Sequence, residues 1–294
     1  MSQYVRCLVW GLGDEFFRHY NLLRFLEKRR DFRIEGLYSK DAYPCETMLG
    51  YKVFNNENII PDLFDYVFIF SFTSYLDIIE DALNKGFKRE KLIPYWVLDI
   101  VGFSMDKYLT LKCSNISIVS NTCWGGIVYK NLGIECLSPF KNMWIEDEDY
   151  LQMLSDLEFY VSKELHYIKD AYDVYQKRYY PVMALGDVKL YCNHYLNEEE
   201  VKEKWNSRVK KINWDNLFIE FAPIDSSRAV EFNKTDFVKK LLLVSDNSSI
   251  AESVCLYSVK GKPDYFPVST NTGYGYAFDL VGTLLEGKPM AVSF

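Results

Sequence analysis

The sequence predicts an α/β protein: a parallel-sheet domain over residues 1–106 followed by a second α/β domain over residues 107–294. Two observations predict this. Short apolar runs alternate with helix-period segments through the first hundred residues, the pattern of βαβ winding. The second half opens on an apolar segment, Ile116–Val119, that runs into Ser120-Asn121-Thr122-Cys123-Trp124-Gly125-Gly126 and then into helix-forming residues. The length of 294 residues suits two domains of ~100–200 residues each.

Tyr4–Trp10 reads as the first strand. It meets Gly11-Leu12-Gly13 and a helix over Asp14–Arg30, with Phe16, Tyr20, Leu23 and Leu26 on one face. Strands follow at Phe32–Tyr38 and Tyr66–Phe72, the latter announced by Pro61 and Asp62. A helix over Tyr75–Lys85 stops at Gly86, and Leu92–Tyr95 is a last short strand. In the second domain Cys113–Ser120 reads as a strand and Ile127–Leu132 as a short helix. Asp147–Ile168 reads as one long helix, since Tyr150, Leu154, Leu157, Val161, Leu165 and Ile168 hold one apolar face. Val182–Leu185 and Val188–Tyr195 are strands turned at Gly186-Asp187. Asn197 with Glu200 forms a capping box for a helix to Lys211, and Trp214–Phe221 is another strand. Ala222–Val259 carries no pattern that places elements.

The net charge of −7 and pI near 5.2 exclude a nucleic-acid binder built on phosphate neutralisation. The seven cysteines form no CxxC pair, so neither a zinc site nor any other metal site is expected. Reduced thiols and a cytoplasmic location fit better. No apolar run approaches the ~18–20 residues of a membrane span. A homo-oligomer is compatible with all of this.

Gly11-x-Gly13-x-x-Phe16 is the first candidate site. Its two glycines can bring the backbone close to a phosphate, which makes Gly11 and Gly13 candidates for a nucleotide or sugar-nucleotide. Phe16 replaces the third small residue of the dinucleotide fingerprint, and Ser39-Lys40 stand where an acid is needed. NAD and NADP are therefore not expected. The alternative is that the glycines only make the strand-to-helix turn.

The second candidate is the string at Ser120–Gly126 with its echo at Asn271-Thr272-Gly273-Tyr274-Gly275, after Phe266–Val268 and before a helix over Tyr276–Leu285. Loops that open helices present free N–H groups. Asn121, Thr122, Cys123 and Trp124 are expected to face Asn271, Thr272 and Tyr274 across one substrate pocket, with Asp187 or His194 at its wall. On that reading Asn121→Ala weakens binding and leaves the melting temperature nearly unchanged. The bland reading is that Gly125 and Gly275 merely turn the chain.

Three histidines are present, His19, His166 and His194. His194 is the candidate base, with Asp187 to orient it, Cys123 or Ser120 as nucleophile and Asn193 beside it. Their odd separation puts Asp187 and His194 on opposite faces of a straight strand, so the triad needs a bend. Lys204, Arg208 and Lys211 form a basic row that can meet a sugar diphosphate, with a solvated face as the alternative. The tryptophans, with Tyr274 and Tyr276, can stack on sugar rings or pack in the core.

The first domain resembles the small Rossmann-like modules of bacterial polysaccharide-assembly proteins. The carrying residues are Val9-Trp10-Gly11-Leu12-Gly13, Ile34-Glu35-Gly36-Leu37-Tyr38 and Leu49-Gly50-Tyr51-Lys52-Val53. The second resembles a bacterial family associated with exopolysaccharide biosynthesis. It does so through Ser120–Gly126, Leu137-Ser138-Pro139, Asn142-Met143-Trp144-Ile145, Leu185-Gly186-Asp187-Val188 and Asn193-His194-Tyr195. Trp205, Arg208, Ile212-Asn213-Trp214-Asp215 and Gly273-Tyr274-Gly275-Tyr276 continue the likeness. The resemblance implies a polysaccharide-assembly setting. Within it the first reading is a transferase moving a glycosyl or acyl group between a small-molecule sugar donor and acceptor, with the two Asn-Thr loops holding the donor and Asp187 or His194 as base. The alternatives are a non-catalytic sugar-nucleotide-binding or scaffold subunit, and an acyl-ester hydrolase using Cys123 or Ser120.

Overall fold

The computed structural model describes residues 4–40, 45–56, 58–244, 253–255 and 278–291. The chain divides into two compact units, Met1–Tyr108 and Leu109–Phe294, and the fold is α/β throughout.

In the first unit the elements run β1 (Arg6–Trp10), α1 (Asp14–Arg29), β2 (Arg33–Tyr38), β3 (Thr47–Met48), β4 (Tyr51–Phe54), β5 (Tyr66–Ile69), α2 (Tyr75–Asn84) and β6 (Leu92–Pro94). They build a sheet of order β3-β4-β2-β1-β5-β6, parallel except for β3. The chain passes from β1 to β2 on one side and to β5 on the other, so the strand order reverses between β1 and β5. Gly11 sits at that point. Its φ of 104° and a distance of only 2.7 Å from an added Cβ to the Phe70 carbonyl oxygen explain why glycine stands there. Gly13 precedes α1 with open space around it, and Phe16 is fully buried with its ring edge-on to Phe70. Tyr38 ends β2 buried, and Asp41 lies outside the described residues.

His19 on α1 has an acceptor at each ring nitrogen, the Glu15 carbonyl at 2.7 Å and Asp99 Oδ2 at 3.1 Å. Both nitrogens must donate, so the ring is held as imidazolium, and the Asp99 bond raises its pKa. That contribution to stability is full below the unfolded value near 6.5 and is lost as pH rises through the higher folded value. An NMR titration should place His19 above 6.5, and Asp99→Asn should bring it down. A pKa at or below 6.5 in the intact protein would contradict the assignment.

The boundary between units falls within α3 (Met105–Cys113). Sequence reading began a strand at Cys113. The helix instead persists to that residue, and β7 is confined to Ser117–Ser120. After it come α4 (Trp124–Leu132), α5 (Asp147–Ser155) and α6 (Leu157–Val161), then β8 (Leu165–Asp173), β9 (Arg178–Leu185) and β10 (Val188–Tyr191). The remaining elements are α7 (Glu198–Val209), β11 (Leu217–Phe221), α8 (Ala229–Asn233), β12 (Lys240–Val244), β13 (Ser253–Cys255) and α9 (Leu280–Glu286). The single helix expected over Asp147–Ile168 is corrected. Asp156 leaves the helical conformation and caps α6 through the Phe159 N–H, and the chain then turns into β8. Leu165 and Ile168 satisfied a helical period while belonging to a strand. His166 accordingly lies on exposed strand, not on a packed helix.

Two sheets share the second unit: an antiparallel one of order β10-β9-β8 and a parallel one of order β13-β12-β11-β7. β7, β11 and β12 are buried almost throughout because both faces of the parallel sheet are covered. One core joins Val119, Ile219, Phe221 and Leu242 of the parallel strands to Tyr150, Leu154 and Leu157 of α5 and α6 and to Met183, Leu185 and Leu190 of the hairpin.

Candidate functional site

β7 and β11 are parallel neighbours, with Glu220 in register with Ser120. Both end on the same edge, at Asn121 and Ala222. Open α/β sheets bind ligands outside the carboxyl ends of their strands. Asn121 continues the ladder with its side chain: Nδ2 donates to the Ala222 carbonyl at 3.1 Å, and the Ala222 N–H donates to Oδ1 at 2.9 Å. Its own carbonyl takes the Ile145 N–H at 2.8 Å. Three segments therefore meet at one asparagine. Thr122 Oγ1 accepts from the Trp124 N–H at 3.2 Å and fixes the start of α4. Gly125 and Gly126 serve close packing. An added Cβ would stand 3.1 Å from Ile118 and 3.0 Å from Lys141 respectively.

A cavity of ≈ 180 Å³ opens at this edge, walled by Asn121, Thr122 and Cys123 after β7, Ala222 and Ile224 after β11, and Trp144, Ile145 and Asn193. Trp144 is held rigidly. It exchanges two main-chain hydrogen bonds with Tyr191, at 3.0 and 2.9 Å, and their rings stack at 3.9 Å and 8°. No group among the described residues donates to the buried Asn193 Oδ1, while the Asn193 main-chain carbonyl accepts from Arg178 Nη2 at 2.8 Å. A buried orphan acceptor in a cavity wall is costly unless a ligand or solvent donor reaches it.

Behind this edge lies Glu220, fully buried in β11. Its Oε2 is 2.5 Å from Ser120 Oγ, and its Oε1 has no partner among the described residues. Burial pushes its pKa up to about 8, against a smaller opposing effect of the Ser120 hydroxyl. Hydrogen-bond accounting gives the same state. Ser120 Oγ lies 2.9 Å from the Thr122 carbonyl and has one proton to give. If Glu220 is protonated, its Oε2 donates to Ser120 Oγ, which then donates to the Thr122 carbonyl, whereas an ionised Glu220 would leave Ser120 one proton for two acceptors. Tyr150 hydroxyl, 2.7 Å from the Glu220 carbonyl, locks the strand in place. An acid inside the apolar run Leu217-Phe218-Ile219-Glu220-Phe221 was the signal that sequence reading passed over.

The predicted site residues scatter. Asn121, Thr122, Cys123 and Asn193 meet at the cavity, but the triad does not form. Cys123 points its sulfur toward the Met143 carbonyl, and burial raises its thiol to about 12, a poor nucleophile. Asp187 lies in the β9–β10 turn, accepting from Tyr160 hydroxyl at 2.9 Å and Gln152 Nε2 at 2.6 Å. The Tyr160 bond holds its carboxyl low. His194 follows the other end of β10, lowered in pKa by desolvation and then by Arg178. β10, four residues long, stands between Asp187 and His194 and spans roughly 13 Å at ~3.4 Å per residue. Trp124 is not a sugar platform, being fully buried and stacked on Phe218. Arg208 donates to Tyr195 hydroxyl at 2.8 Å, Lys204 pairs with Glu200, and Lys211 pairs with Glu135 at 2.8 Å, so the basic row is a paired surface. Asn271, Thr272 and Tyr274, with the strand read at Phe266–Val268, lie outside the described residues. Among the described residues no cluster of three His, Cys, Asp or Glu is placed to hold a metal, and no helix is long and apolar enough to cross a membrane.

A family model described as "Domain of unknown function (DUF1919)" matches residues 96–272, more than half of the chain. The chain belongs to this family. Every residue of the cavity wall falls inside the DUF1919 match. Residues 3–93 match a second model, described as "C2185-like, N-terminal". A relative from Haemophilus influenzae (strain ATCC 51907 / DSM 11121 / KW20 / Rd), named "Uncharacterized protein", is 27% identical over 164 residues, which cover 54% of this chain and 76% of that one. Among solved structures, aspartate semialdehyde dehydrogenase II from Vibrio cholerae, complexed with ASA, aligns at 13% identity over 89% of this chain and 85% of that one. Its TM-score of 0.25 is too low to say anything about the DUF1919 site.

Proposed function

We propose that the second unit binds one sugar residue in this cavity, and that the protein acts in bacterial polysaccharide assembly, in the cytoplasm, as a non-catalytic sugar-binding subunit. The observation that carries the binding is the cavity wall itself, where the fixed ring of Trp144 stands beside Asn193, whose buried Oδ1 has no donor among the described residues and needs a small turn of the side chain to meet a ligand hydroxyl. A pyranose offers what such a wall lacks, hydroxyl donors around an apolar ring. The cavity of ≈ 180 Å³ is smaller than the ~300–1,000 Å³ sites of drug-sized ligands, and suits one ring better than a whole nucleotide-sugar. The polysaccharide setting rests on the sequence resemblance of residues 113–280. The binding role is favoured because Cys123, with its raised thiol, is the one ionisable side chain among the lining residues.

A glycosyl or acyl transferase is the second reading, and Glu220 favours it. A carboxyl with a pKa near 8 exchanges a proton close to neutrality, and it sits one hydroxyl, that of Ser120, away from Thr122. The hydrolase reading lacks comparable support, since no imidazole among the described residues is hydrogen-bonded to Cys123 or Ser120.

Calorimetry with neutral monosaccharides and uronic acids tests the proposal. Saturable binding is expected, weakened about tenfold in Asn193→Ala, the equivalent of one hydrogen bond of ~1.4 kcal/mol. Asp187→Asn and His194→Gln should bind as the wild type does. Absence of binding to every sugar would remove the proposal. Turnover of a nucleotide-sugar that is lost in Glu220→Gln would replace it with the transferase.

A further inference from the structure

We propose that β8 pairs with β8 of a second copy of this chain about a two-fold axis, joining two three-stranded sheets into one antiparallel sheet of six strands. Among the described residues β8 is the edge strand of its sheet, and it is mostly exposed. Around it lie exposed apolar side chains at Tyr167, Ile168, Tyr172, Val174, Tyr175 and Tyr179, with Tyr175 90% and Tyr179 67% accessible. A long edge with this much exposed apolar surface is a template for another strand unless something blunts it.

The main-chain direction of β8 fixes how a partner would pair. The Cys192 N–H donates to the Pro181 carbonyl at 3.0 Å, so that carbonyl faces β10. Asp170 is opposite Pro181. In the alternation of an antiparallel ladder this makes them a non-hydrogen-bonded pair, with the N–H and C=O of Asp170 turned to the open edge. Tyr167 hydroxyl meets the Asp170 N–H on that side, which agrees with its outward direction and caps it until a partner strand displaces the ring. Tyr172, two residues on, presents its main chain to the same side. The blunting devices are a bulge between Tyr167 and Lys169 and the charge of Lys169. The bulge leaves Lys169–Asp173 as one regular stretch of five residues.

Charge selects the register. A two-fold axis through an antiparallel pair sets one residue opposite itself. Centred on Asp170, it opposes two carboxylates. Centred on Lys169, it opposes two ammonium groups. Centred on Ala171, it sets Lys169 opposite Asp173 of the second copy, twice by symmetry, and lets Asp170 and Tyr172 exchange main-chain hydrogen bonds across the edge. The same register carries Val174 and Tyr175 of each copy toward Ile168 and Tyr167 of the other, covering the exposed apolar groups.

Analytical ultracentrifugation of the full chain and oxidative cross-linking test this. A dimer is expected. Ala171 would face itself in a non-hydrogen-bonded pair, with Cα atoms ~4.5 Å apart, inside the ~4.4–6.8 Å span of a disulfide. Ala171→Cys should therefore form a covalent dimer on mild oxidation, beyond any cross-linking of the wild type. Lys169→Glu should weaken association about tenfold while leaving the circular dichroism and melting of the monomer unchanged. A chain that sediments as a monomer at every concentration overturns the proposal. So does a dimer in which a folded Ala171→Cys keeps a free thiol.

Discussion

Glu220→Gln should abolish most of the pH dependence of stability that the second unit shows between pH 4.5 and 8. The wild-type carboxyl is raised from 4.5 to about 8 by burial. The folded state therefore holds a proton that the unfolded state releases over that interval. Stability is full below 4.5, falls as pH rises and has lost the whole contribution above about 8. At ~1.36 kcal/mol per pH unit the loss is roughly 5 kcal/mol, an order-of-magnitude figure. Glutamine has nearly the same shape, stays neutral and can still bond Ser120. Urea denaturation at pH 5, 7 and 8.5 should show a falling midpoint for the wild type and a nearly flat one for the variant, with the variant more stable at pH 8.5. Equal slopes in the two proteins would mean that Glu220 is ionised in the folded state.

Asn121→Ala should cost about 3–4 kcal/mol, because it leaves the N–H and the C=O of Ala222 buried and unpaired at ~1–3 kcal/mol each. This reverses the sequence-based expectation of an unchanged melting temperature. The asparagine positions the cavity wall, and its amide is already satisfied by Ala222. Chemical denaturation gives the number. A loss below 1 kcal/mol would show that water or a neighbouring strand takes over both groups.

The first unit was legible because its strands are short, largely apolar runs punctuated by Gly11, Pro61 and Gly86, and nothing in them mimics another period. The short β3 and β4 at Thr47–Phe54 escaped notice because they are too brief to carry a pattern. In the second unit Leu165 and Ile168 were ambiguous between helix and strand spacing. The deciding event, Asp156 capping a new turn, is tertiary. The binding edge was legible in Ser120–Gly126, since a strand that enters a helix through small polar residues is a local signal. Ala222, Ile224 and Glu220 were not legible as site residues. They come from a strand 100 residues away that pairs with β7 only in the folded sheet. Asp187 and His194 looked like partners because they are close in sequence. A strand keeps such residues apart, and the antiparallel turn sends them to opposite ends of β10.

The central claim is that the cavity beside Trp144 and Asn193 takes a sugar. The most direct measurement is an NMR titration of the six tryptophan indole N–H resonances with monosaccharides, with Trp144→Phe used to assign the key signal. The Trp144 resonance should shift saturably, while that of Trp124, buried against Phe218, stays in place. A saturable response in which Trp144 is silent, or no response to any sugar, would contradict the account.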